Sequence, residues 1–348
     1  MPLQLEPRAR FNVFIGENGQ GKTNLLEAIF AVATLRSFRT SKLAELIAFN
    51  KPTARLRARV QKQDVARVYE VDLVPGSRRV RIDGKSVRPL ARYFGTFNVV
   101  VFTPEDLALP RGSPGDRRRF LDRGVFTLDP SYLIVASDYD KVLRTRNTVL
   151  RQANGSGAHH VEQLLAVYDE QLAVLAVSIV AARIRFTSLL APELRTAFAA
   201  ITRTSRVASM RYQSKLLGLT VEQIAEQLRG LRVRDLAMQS TSFGPHRDDL
   251  ELALDGRDAG SFASQGQLRA IMLAWKTAEL QILARAHGDL PILLLDDVSS
   301  ELDASRNEFL FEHLAALAGQ CFITTTSGSH VLVRAERHDY RIANGLIT

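Results

Sequence analysis

Apolar and polar residues alternate along three neighbouring stretches near the start of the chain, at residues 55–60, 68–74 and 80–82. Alternation with a period of two places successive side chains on opposite faces of a strand, so each stretch is predicted to form a half-buried β-strand. The pairs Pro75-Gly76 and Asp83-Gly84 follow the second and third stretches and favour tight turns. The pattern therefore predicts antiparallel hairpins.

Two longer segments carry apolar residues at helical spacing. Residues 131–152 and 161–200 are predicted to be helices, and the segment Asn154-Gly155-Ser156-Gly157 between them is expected to be a flexible connection. We therefore expect a mainly helical lobe at residues 106–240, inserted into a lobe rich in strands that comprises residues 1–105 and 241–348.

Short, largely apolar runs predict a different kind of strand. They occur at residues 11–15, 98–102, 292–295 and 322–325. Such runs suit a parallel sheet that is covered on both faces, because neither side of the strand meets water. The fold class predicted from these elements is α/β.

A glycine-rich segment follows the first of these runs and precedes a helical pattern at residues 23–33. It matches G-x-x-x-x-G-K-[ST], and its residues are Gly16, Glu17, Asn18, Gly19, Gln20, Gly21, Lys22 and Thr23. In this context the glycines let backbone N–H groups cradle a phosphate, the lysine reaches the terminal phosphates and the threonine hydroxyl binds Mg²⁺. A chance glycine-rich turn is the alternative. The strand-loop-helix context favours an ATP site.

The apolar run at residues 292–295 ends in two carboxylates, Asp296 and Asp297. A strand followed by Asp is typical of the Walker B arrangement, in which the first acid, Asp296, helps to hold Mg²⁺ together with Thr23. Asp297 is then placed to orient or deprotonate the attacking water, with Lys22 as the second catalytic residue. The alternative is a strand end with two solvated acids. The phosphate loop earlier in the chain favours the catalytic interpretation.

Net charge and cysteine content indicate which partners and which kinds of site the chain can have. Lysine and arginine number 46 against 37 acids, for a net charge of +9, which favours a polyanionic partner. The single cysteine, Cys321, excludes a disulfide framework and a cysteine-based zinc site. The longest apolar stretch, at 172–182, is too short to cross a bilayer, and the first residues lack the apolar core of a secretion signal. We expect a cytoplasmic protein with no membrane partner.

A third motif lies between the phosphate loop and the acidic strand. Ser264, Gly266 and Gln267 begin a helical pattern and resemble the signature of ABC-type ATPases. The resemblance implies that serine and glycine grip the γ-phosphate bound by the other subunit, so that the site is completed in trans. By itself the motif is weak, because a serine is an ordinary helix N-cap. Its order between the two nucleotide motifs favours the ABC interpretation.

Several further segments resemble the RecF family. They are Gly19-Gln20-Gly21-Lys22-Thr23-Asn24-Leu25-Leu26-Glu27, Phe102-Thr103-Pro104-Glu105-Asp106-Leu107, Arg117-Arg118-Arg119-Phe120-Leu121-Asp122, Gly244-Pro245-His246-Arg247-Asp248-Asp249-Leu250 and Ser300-Glu301-Leu302-Asp303, the last being similar to the family's D-loop. The resemblance implies a P-loop ABC-type ATPase head of mixed sheet with a mainly helical second lobe. It places Asn24 at the nucleotide site and assigns γ-phosphate sensing to Thr325 or Thr326.

The same resemblance implies a function. An ATP-dependent homodimer would close on DNA, either duplex or at single-strand/double-strand junctions, and slow hydrolysis would release it. The partners RecR and RecO would assist it in loading recombinase at gaps. Two alternatives remain open: a chromosome-organising head of the SMC type, and the ATPase subunit of an ABC transporter. The long interval between Thr23 and Ser264 and the absence of long heptad arrays count against them.

Arginines in the predicted hairpins are candidates for contact with DNA phosphates. Arg55, Arg57 and Arg59 alternate and are expected on one face of a strand. A second group surrounds the following turns and consists of Arg78, Arg79, Arg81 and Lys85. A solvated arginine face is the alternative for both groups. The residues His246, Asp248 and Asp249 are expected to form a structural hydrogen-bond network rather than a metal cluster.

Overall fold

The computed structural model describes residues 3–40, 42–62, 64–88, 90–94, 97–153, 157–314 and 317–347. The chain divides into two compact units. The first unit comprises Met1–Ala108, Thr196–Thr204 and Gln265–Thr348, and the second comprises Leu109–Arg195 and Ser205–Ser264. Residues 241–264, which the sequence-based division assigned to the strand-rich lobe, therefore belong to the second unit.

The strands of the described residues are β1 (Phe11–Ile15), β2 (Ala54–Lys62), β3 (Val65–Val74), β4 (Ser77–Ile82), β5 (Lys85–Ser86), β6 (Val99–Phe102), β7 (Ala208–Gln213), β8 (Asp249–Leu254), β9 (Arg257–Asp258), β10 (Ile292–Asp296), β11 (Cys321–Thr325), β12 (Arg337–Ala343) and β13 (Leu346–Ile347). The helices are α1 (Lys22–Thr34), α2 (Pro104–Ala108), α3 (Pro114–Leu128), α4 (Tyr132–Gln152), α5 (Ala158–Thr202), α6 (Val221–Gly230), α7 (Arg232–Met238), α8 (Ala259–Phe262), α9 (Gln265–His287) and α10 (Ala304–Phe309).

The central sheet of the first unit has the strand order β13-β12-β1-β11-β10-β6. The strands from β12 to β6 pair in parallel, and β13 joins the edge in antiparallel orientation. Helix α1 packs on this sheet through Leu26 and Phe30, which join a buried cluster with Phe14 and Leu294. Burying side chains of this size stabilises the fold by about 1.5–3 kcal/mol each. The predicted parallel sheet of apolar strands is confirmed.

Strands β2 to β5 form a separate antiparallel sheet in the first unit. Gly76 and Gly84 take positive φ values of +77° and +76° in the turns after β3 and β4, a backbone conformation that glycine adopts at little cost. The predicted hairpins are confirmed, and their turns fall at the predicted pairs.

The second unit is mainly helical, as predicted, but it also contains a three-stranded sheet of order β7-β8-β9. Strand β7 lies within the segment that was predicted to be helical lobe. It pairs with β8 in antiparallel register, with Tyr212 opposite Leu250. The residues of β7 alternate between apolar and polar, and every second one is exposed. The period-two signal of a strand was therefore present in the sequence and was missed. The connection predicted at residues 154–157 lies largely outside the described residues.

A buried ionic network joins three helices of the second unit. Arg146 of α4, which is fully buried, donates to Asp169 of α5 and to Asp235 of α7, both at 2.8 Å, and to the Thr241 hydroxyl at 2.9 Å. Burying a charge without partners costs several kcal/mol. The network therefore fixes the relative positions of these helices within the unit.

Helix α5 is long and apolar enough, by length and composition alone, to cross a membrane over His159–Thr202. The core helices of globular proteins pass the same test, and 44% of the apolar window is buried inside the protein. Asp169 and Arg183 lie on this helix and form buried ion pairs within the second unit. Such pairs are typical of a helix packed against protein.

Candidate nucleotide-binding site

The phosphate loop connects β1 to α1, and three glycines determine its shape. Gly19 and Gly21 have left-handed φ values of +80° and +94°, which other residues adopt only at a free-energy cost. A Cβ atom on Gly16 would lie 2.3 Å from the carbonyl oxygen of Ile342 on β12. The loop therefore requires glycine for its turns and for its close approach to the neighbouring strand. The predicted strand-loop-helix arrangement is confirmed.

Lys22 begins helix α1, and its ammonium group lies within the loop. Nζ donates hydrogen bonds to the carbonyl oxygens of Gly16 at 2.6 Å and Glu17 at 2.8 Å, and the residue is only 6% exposed. An ammonium group has three donors, so these contacts hold the charge in place and leave a donor for a phosphate oxygen. The N–H groups of the first helical turn add the positive end of the helix dipole.

Asp296 lies beside the first turn of α1. Its Oδ1 accepts hydrogen bonds from the hydroxyls of Thr23, at 2.9 Å, and Thr324, at 2.7 Å. Burial raises the pKa of Asp296, and the nearby charges of Glu105 and Asp297 act in the same direction, against the two hydroxyl hydrogen bonds. A cation beside this carboxylate would favour its charged form.

The oxygen ligands at this point fit a magnesium ion. Mg²⁺ is usually held by one or two carboxylates together with substrate phosphates and water, rather than by a cage of protein ligands. Thr23 and Asp296 supply a hydroxyl and a carboxylate that already contact each other. Across the described residues, no cluster of three or more His, Cys, Asp or Glu could hold a metal by itself. The arrangement suits a metal that arrives with a nucleotide.

Asp297 follows β10 in a left-handed conformation, with φ of +49°. Its backbone N–H donates to the carbonyl oxygen of Thr324 at 3.1 Å and to the hydroxyl of the same residue at 3.0 Å. Its Oδ1 is buried and has no hydrogen-bond partner within the part of the chain that the structure describes. A fixed backbone and an unpaired carboxylate oxygen suit the predicted role of orienting a water molecule.

The signature residues lie where α9 begins. Ser264 is the last residue of the second unit, whereas Gly266 and Gln267 belong to the first turn of α9 in the first unit. The helix predicted from Leu268 onward is confirmed, and most of its length is buried. A Cβ atom on Gly266 would lie 3.3 Å from Nη2 of Arg306. Completion of a site in trans by these residues stays a prediction.

Gln20 and Asn24, which were predicted to contact the nucleotide, also form hydrogen bonds within the protein. The side-chain oxygen of Gln20 accepts a hydrogen bond from the backbone N–H of Asn344 at 2.5 Å, and its carbonyl oxygen accepts from Gly345 at 3.1 Å. Asn24 accepts from Nη1 of Arg39 at 3.1 Å. The turn between β12 and β13 is therefore hydrogen-bonded to the phosphate loop.

Sequence reasoning missed a group of polar residues beside α1. Glu27, which is buried on the helix, accepts a hydrogen bond from the Ser37 hydroxyl and lies 3.5 Å from Nη1 of Arg39. This places the positive charge of Arg39 beside the first turns of the phosphate-binding helix. A lone acid within an otherwise apolar helix was the signal available in the sequence.

The segment at 324–326 contributes one residue to the contacts of Asp296. The Thr325 hydroxyl is buried and donates to the carbonyl oxygen of Ser327 at 3.0 Å, and Thr326 is exposed. Thr324 is the member of the segment that contacts Asp296. The sensing role assigned to Thr325 or Thr326 stays a prediction, and Thr324 joins the site.

Comparisons with known proteins agree over nearly the whole chain. The family described as the RecF/RecN/SMC N terminal domain matches residues 2–343. The DNA replication and repair protein RecF of Myxococcus xanthus (strain DK1622) is 40% identical over 350 residues, which cover 97% of this chain and 90% of that protein. The protein of the same name from Geobacter sp. (strain M21) is 39% identical, with 99% and 95% covered. The chain belongs to the RecF family.

Solved structures place this RecF-family chain on the same fold. The structure described as the recombination mediator protein RecF-ATP in the RecFOR pathway has a TM-score of 0.88 and 32% identity, covering 99% of this chain and 92% of that one. An SMC head bound to the C-winged helix domain of ScpA has a TM-score of 0.52 at 13% identity, which shows a shared fold alone. The predicted ABC-type ATPase head is confirmed.

The arginine face of this RecF-family chain lies on the antiparallel sheet. Arg55, Arg57 and Arg59 are all exposed on one face of β2, as predicted. The register brings Asp72 and Glu70 of β3 beside them, followed by two arginines of β4. Arg55 pairs with Asp72 at 2.6 Å, and Arg81 reaches the same carboxylate at 2.7 Å. We define the arginine face as Arg55, Arg57, Arg59, Arg79 and Arg81.

Two of the predicted DNA contacts do not share this face. Arg78 lies opposite Leu73 and donates to the carbonyl oxygen of Leu35 at 3.0 Å. Lys85 lies opposite Ile82, which in turn faces the buried Tyr69. Directly opposed residues share a face of the sheet, so Arg78 and Lys85 lie on the face opposite to the other arginines. Their contact with DNA stays a prediction.

The histidine-acid segment of the RecF-family chain is structural, as expected. Nδ1 of His246 lies 2.7 Å from the Tyr139 hydroxyl, and its Nε2 lies 3.0 Å from the carbonyl oxygen of Thr241. Asp248 accepts hydrogen bonds from Tyr212 and from Arg183. Burial lowers the pKa of His246 to about 4, so the ring is neutral near pH 7. The segment forms part of the packing of the second unit.

Proposed function

We propose that this protein is an ATP-dependent DNA-binding protein of replication and recombinational repair, in which MgATP drives dimerisation on DNA and slow hydrolysis releases it. The hydrogen bond between Thr23 and Asp296 carries the proposal, because it joins the phosphate loop to the acidic strand end in one site. Family membership supports the DNA role, since the relatives are named DNA replication and repair proteins.

Each residue of the site has a separate task in ATP hydrolysis. Lys22 and the loop N–H groups bind the terminal phosphates, and Thr23 and Asp296 hold Mg²⁺, which neutralises charge on the phosphate oxygens when bound. Asp297 orients the attacking water through its unpaired Oδ1. Catalysis of this kind depends mainly on positioning and electrostatic stabilisation.

The nucleotide site is completed by a second copy of the chain. Ser264, Gly266 and Gln267 of one protomer would contact the γ-phosphate held by the loop of the other. A glycine at the N-terminal end of a 23-residue helix suits an anion. ATP would thereby act as the link between two protomers, and its hydrolysis would weaken that link.

The arginine face is the proposed contact with DNA. It carries five arginines, and the two acids among them, Glu70 and Asp72, leave an excess of positive charge. Arginines two positions apart on a strand are about 6.6–6.8 Å apart, a spacing that suits successive phosphates. Contacts of this kind carry little sequence preference. They suit a protein that binds duplex or junction DNA by its form.

Further partners follow from the RecFOR pathway, in which the related ATP-bound structure is described. RecR and RecO are the protein partners we propose, with recombinase loading at single-strand gaps as the outcome. An SMC-type head is a second candidate, because the matching family is described as the RecF/RecN/SMC N terminal domain. We do not expect the ATPase subunit of a transporter, because the family and its relatives are DNA proteins.

ATP hydrolysis measured with and without gapped duplex DNA tests the proposal. We expect a slow basal rate that gapped duplex increases severalfold, together with ATP-dependent sedimentation as a dimer. A rate that is indifferent to DNA, in a protein that does not bind DNA with MgATP present, would contradict the DNA role. A chain that binds no ATP would contradict the whole proposal.

A further inference from the structure

The segment from Asp297 to Arg306 follows β10 and is hydrogen-bonded within itself at both ends. The Ser300 hydroxyl donates to the carbonyl oxygen of Asp297 at 2.8 Å. Asp303 caps α10 by accepting from the backbone N–H of Arg306 at 3.0 Å. Each end of the segment is therefore held in a local turn, and two residues of chain separate the turn at Asp297 from the start of α10.

The guanidinium group of Arg306 lies between Asp303 and Gly266. It forms an ion pair with the Asp303 carboxylate. Toward α9, a Cβ atom on Gly266 would lie 3.3 Å from Nη2 and 3.4 Å from Nη1 of Arg306. Gly266 does not have a positive φ. Gly266 and the guanidinium of Arg306 are therefore in close contact, and a side chain at position 266 would displace the guanidinium by a few tenths of an ångström.

The contact differs from an ordinary surface ion pair. The Arg306 side chain is 23% exposed, and its Nε is buried without a hydrogen-bond partner among the residues that the structure describes. By contrast, Arg119, which forms an equivalent pair with Asp116 three residues earlier at the start of α3, is 75% exposed. Removing part of the water around the guanidinium charge of Arg306 costs free energy. The charge of Asp303 offsets that cost and holds the guanidinium against α9.

We propose that Arg306 is a positioning residue that couples the Asp297–Asp303 segment to the signature glycine, Gly266, of the same chain. In the dimer, that segment follows the acid of one nucleotide site, whereas Gly266 belongs to the other. The guanidinium holds Gly266 in the position that the Asp297–Asp303 segment sets, so its removal from one chain weakens the signature that this chain lends to the other site. The two nucleotide sites are thereby linked through one side chain. This inference rests on the proposed trans-completed dimer.

Single substitutions distinguish a positioning role of Arg306 in ATP hydrolysis from a contribution to the stability of the fold alone. Arg306→Ala removes the guanidinium, and we expect kcat for ATP to fall at least about tenfold while KM changes by less than about twofold. Arg306→Lys keeps the ion pair with Asp303 but lacks the planar group that lies against Gly266, so we expect it to preserve thermal stability without restoring kcat. Asp303→Asn retains a helix-capping side chain but loses the charge that holds Arg306, and should resemble Arg306→Ala.

Arg119→Ala is the matched control, because Arg119 forms the same kind of pair at the start of another helix. We expect its kcat to stay within about twofold of the unchanged protein. Full activity in Arg306→Lys with a matching gain in stability would show that the ion pair has only a structural role, and would overturn the proposal.

Mixed dimers show which site Arg306 serves. In the first, one chain carries Asp297→Asn together with Arg306→Ala, and its partner is unchanged. Only one site can then hydrolyse ATP, and it uses the signature of the altered chain. In the second, Asp297→Asn is in one chain and Arg306→Ala in the other, so the active site uses the phosphate loop of the Arg306→Ala chain and an unaltered signature.

We expect the first mixed dimer to lose activity at least about tenfold relative to a dimer with Asp297→Asn in one chain alone, and the second to stay within about twofold. Loss only in the second, or an equal loss in both, would overturn the coupling to Gly266. Failure of the unchanged protein to dimerise in MgATP would instead contradict the proposed function. The two kinds of failure are therefore distinguishable.

Discussion

The hydroxyl of Thr23 donates a hydrogen bond of 2.9 Å to Oδ1 of Asp296, although the two residues are 273 positions apart. They meet because β1 and β10 are parallel strands separated by β11, so their carboxyl ends lie at one edge of the sheet. Thr324, at the end of the intervening strand, donates to the same oxygen at 2.7 Å. Three adjacent strands thus converge on one carboxylate, as ligand sites of parallel sheets commonly do.

Lys22→Met is expected to abolish ATP-dependent dimerisation. The substitution removes the ammonium that lies within the loop while keeping a side chain of similar length. Sedimentation with and without MgATP measures the effect, and Lys51→Met, at an exposed lysine, is the control. A Lys22→Met protein that still dimerises with ATP would show that the phosphate loop does not drive association.

Asp297→Asn is expected to trap a stable ATP-bound dimer. The amide keeps the size of the side chain but is a poor base and orients water less well, so we expect hydrolysis to fall by about a hundredfold or more. Nucleotide binding should persist, since Lys22, Thr23 and Asp296 are unchanged. A protein that sediments as a monomer in excess MgATP would be inconsistent with trans completion of the site.

Charge reversal of Arg55, Arg57 and Arg59 to Glu is expected to weaken binding to duplex DNA and to flatten its dependence on salt. Each phosphate contact that is lost reduces the slope of log K against log salt by about 0.9. Binding titrations at several salt concentrations measure both effects.

Lys85→Glu provides a matched control for single reversal at Arg59, because Lys85 lies on the opposite face of the same sheet. We expect Arg59→Glu to reduce affinity more than Lys85→Glu does. Equal effects would indicate a response to net charge alone, and unchanged affinity and slope in the triple variant would remove this face from the DNA interface.

The stability of the protein is expected to fall as the pH is lowered from about 6.5 toward 4. Burial lowers the pKa of His246 from 6.5 to about 4, so between these values the unfolded chain binds a proton that the folded chain does not. The contribution is present above the unfolded pKa and is lost as the pH falls, by at most about 1.4 kcal/mol per pH unit.

His246→Gln keeps the capacity to donate and accept hydrogen bonds without titrating in this range. Urea unfolding at several pH values should therefore show a flatter dependence for this variant, and His159→Gln, at an exposed histidine, should behave like the unchanged protein. The same pH dependence in all three proteins would mean that other groups control acid stability.

Features that depend on neighbours in sequence were predicted correctly. The hairpins of β2 to β4 follow from alternation and turn residues, and the phosphate loop follows from glycines between an apolar strand and a helix. One further feature could have been predicted from the sequence. Arg78 and Arg79 are adjacent on a strand, so their side chains point to opposite faces of the sheet. The face of Lys85 depended on the register across a turn.

Contacts between distant segments could not be predicted in the same way. Nothing near Glu27 in the sequence indicates that Ser37 and Arg39 fold back on it. The alternation of β7 indicates a strand but does not reveal that its partner is β8. Arg306 lies far from Gly266 in sequence, and their contact depends on how α10 and α9 pack in the first unit.

The order of residues along the chain is enough to specify the chemistry of this protein: a loop that can cradle phosphate, two acids after an apolar strand and a surplus of arginine. These follow from local backbone preference and residue type, which act over a few residues. Folding of the whole chain is what brings the hydroxyls of Thr23 and Thr324 to the same oxygen of Asp296, and what places five arginines on one face of a sheet. Such juxtapositions arise from strand order and register, which are set by burial over the whole sheet and not by any single segment.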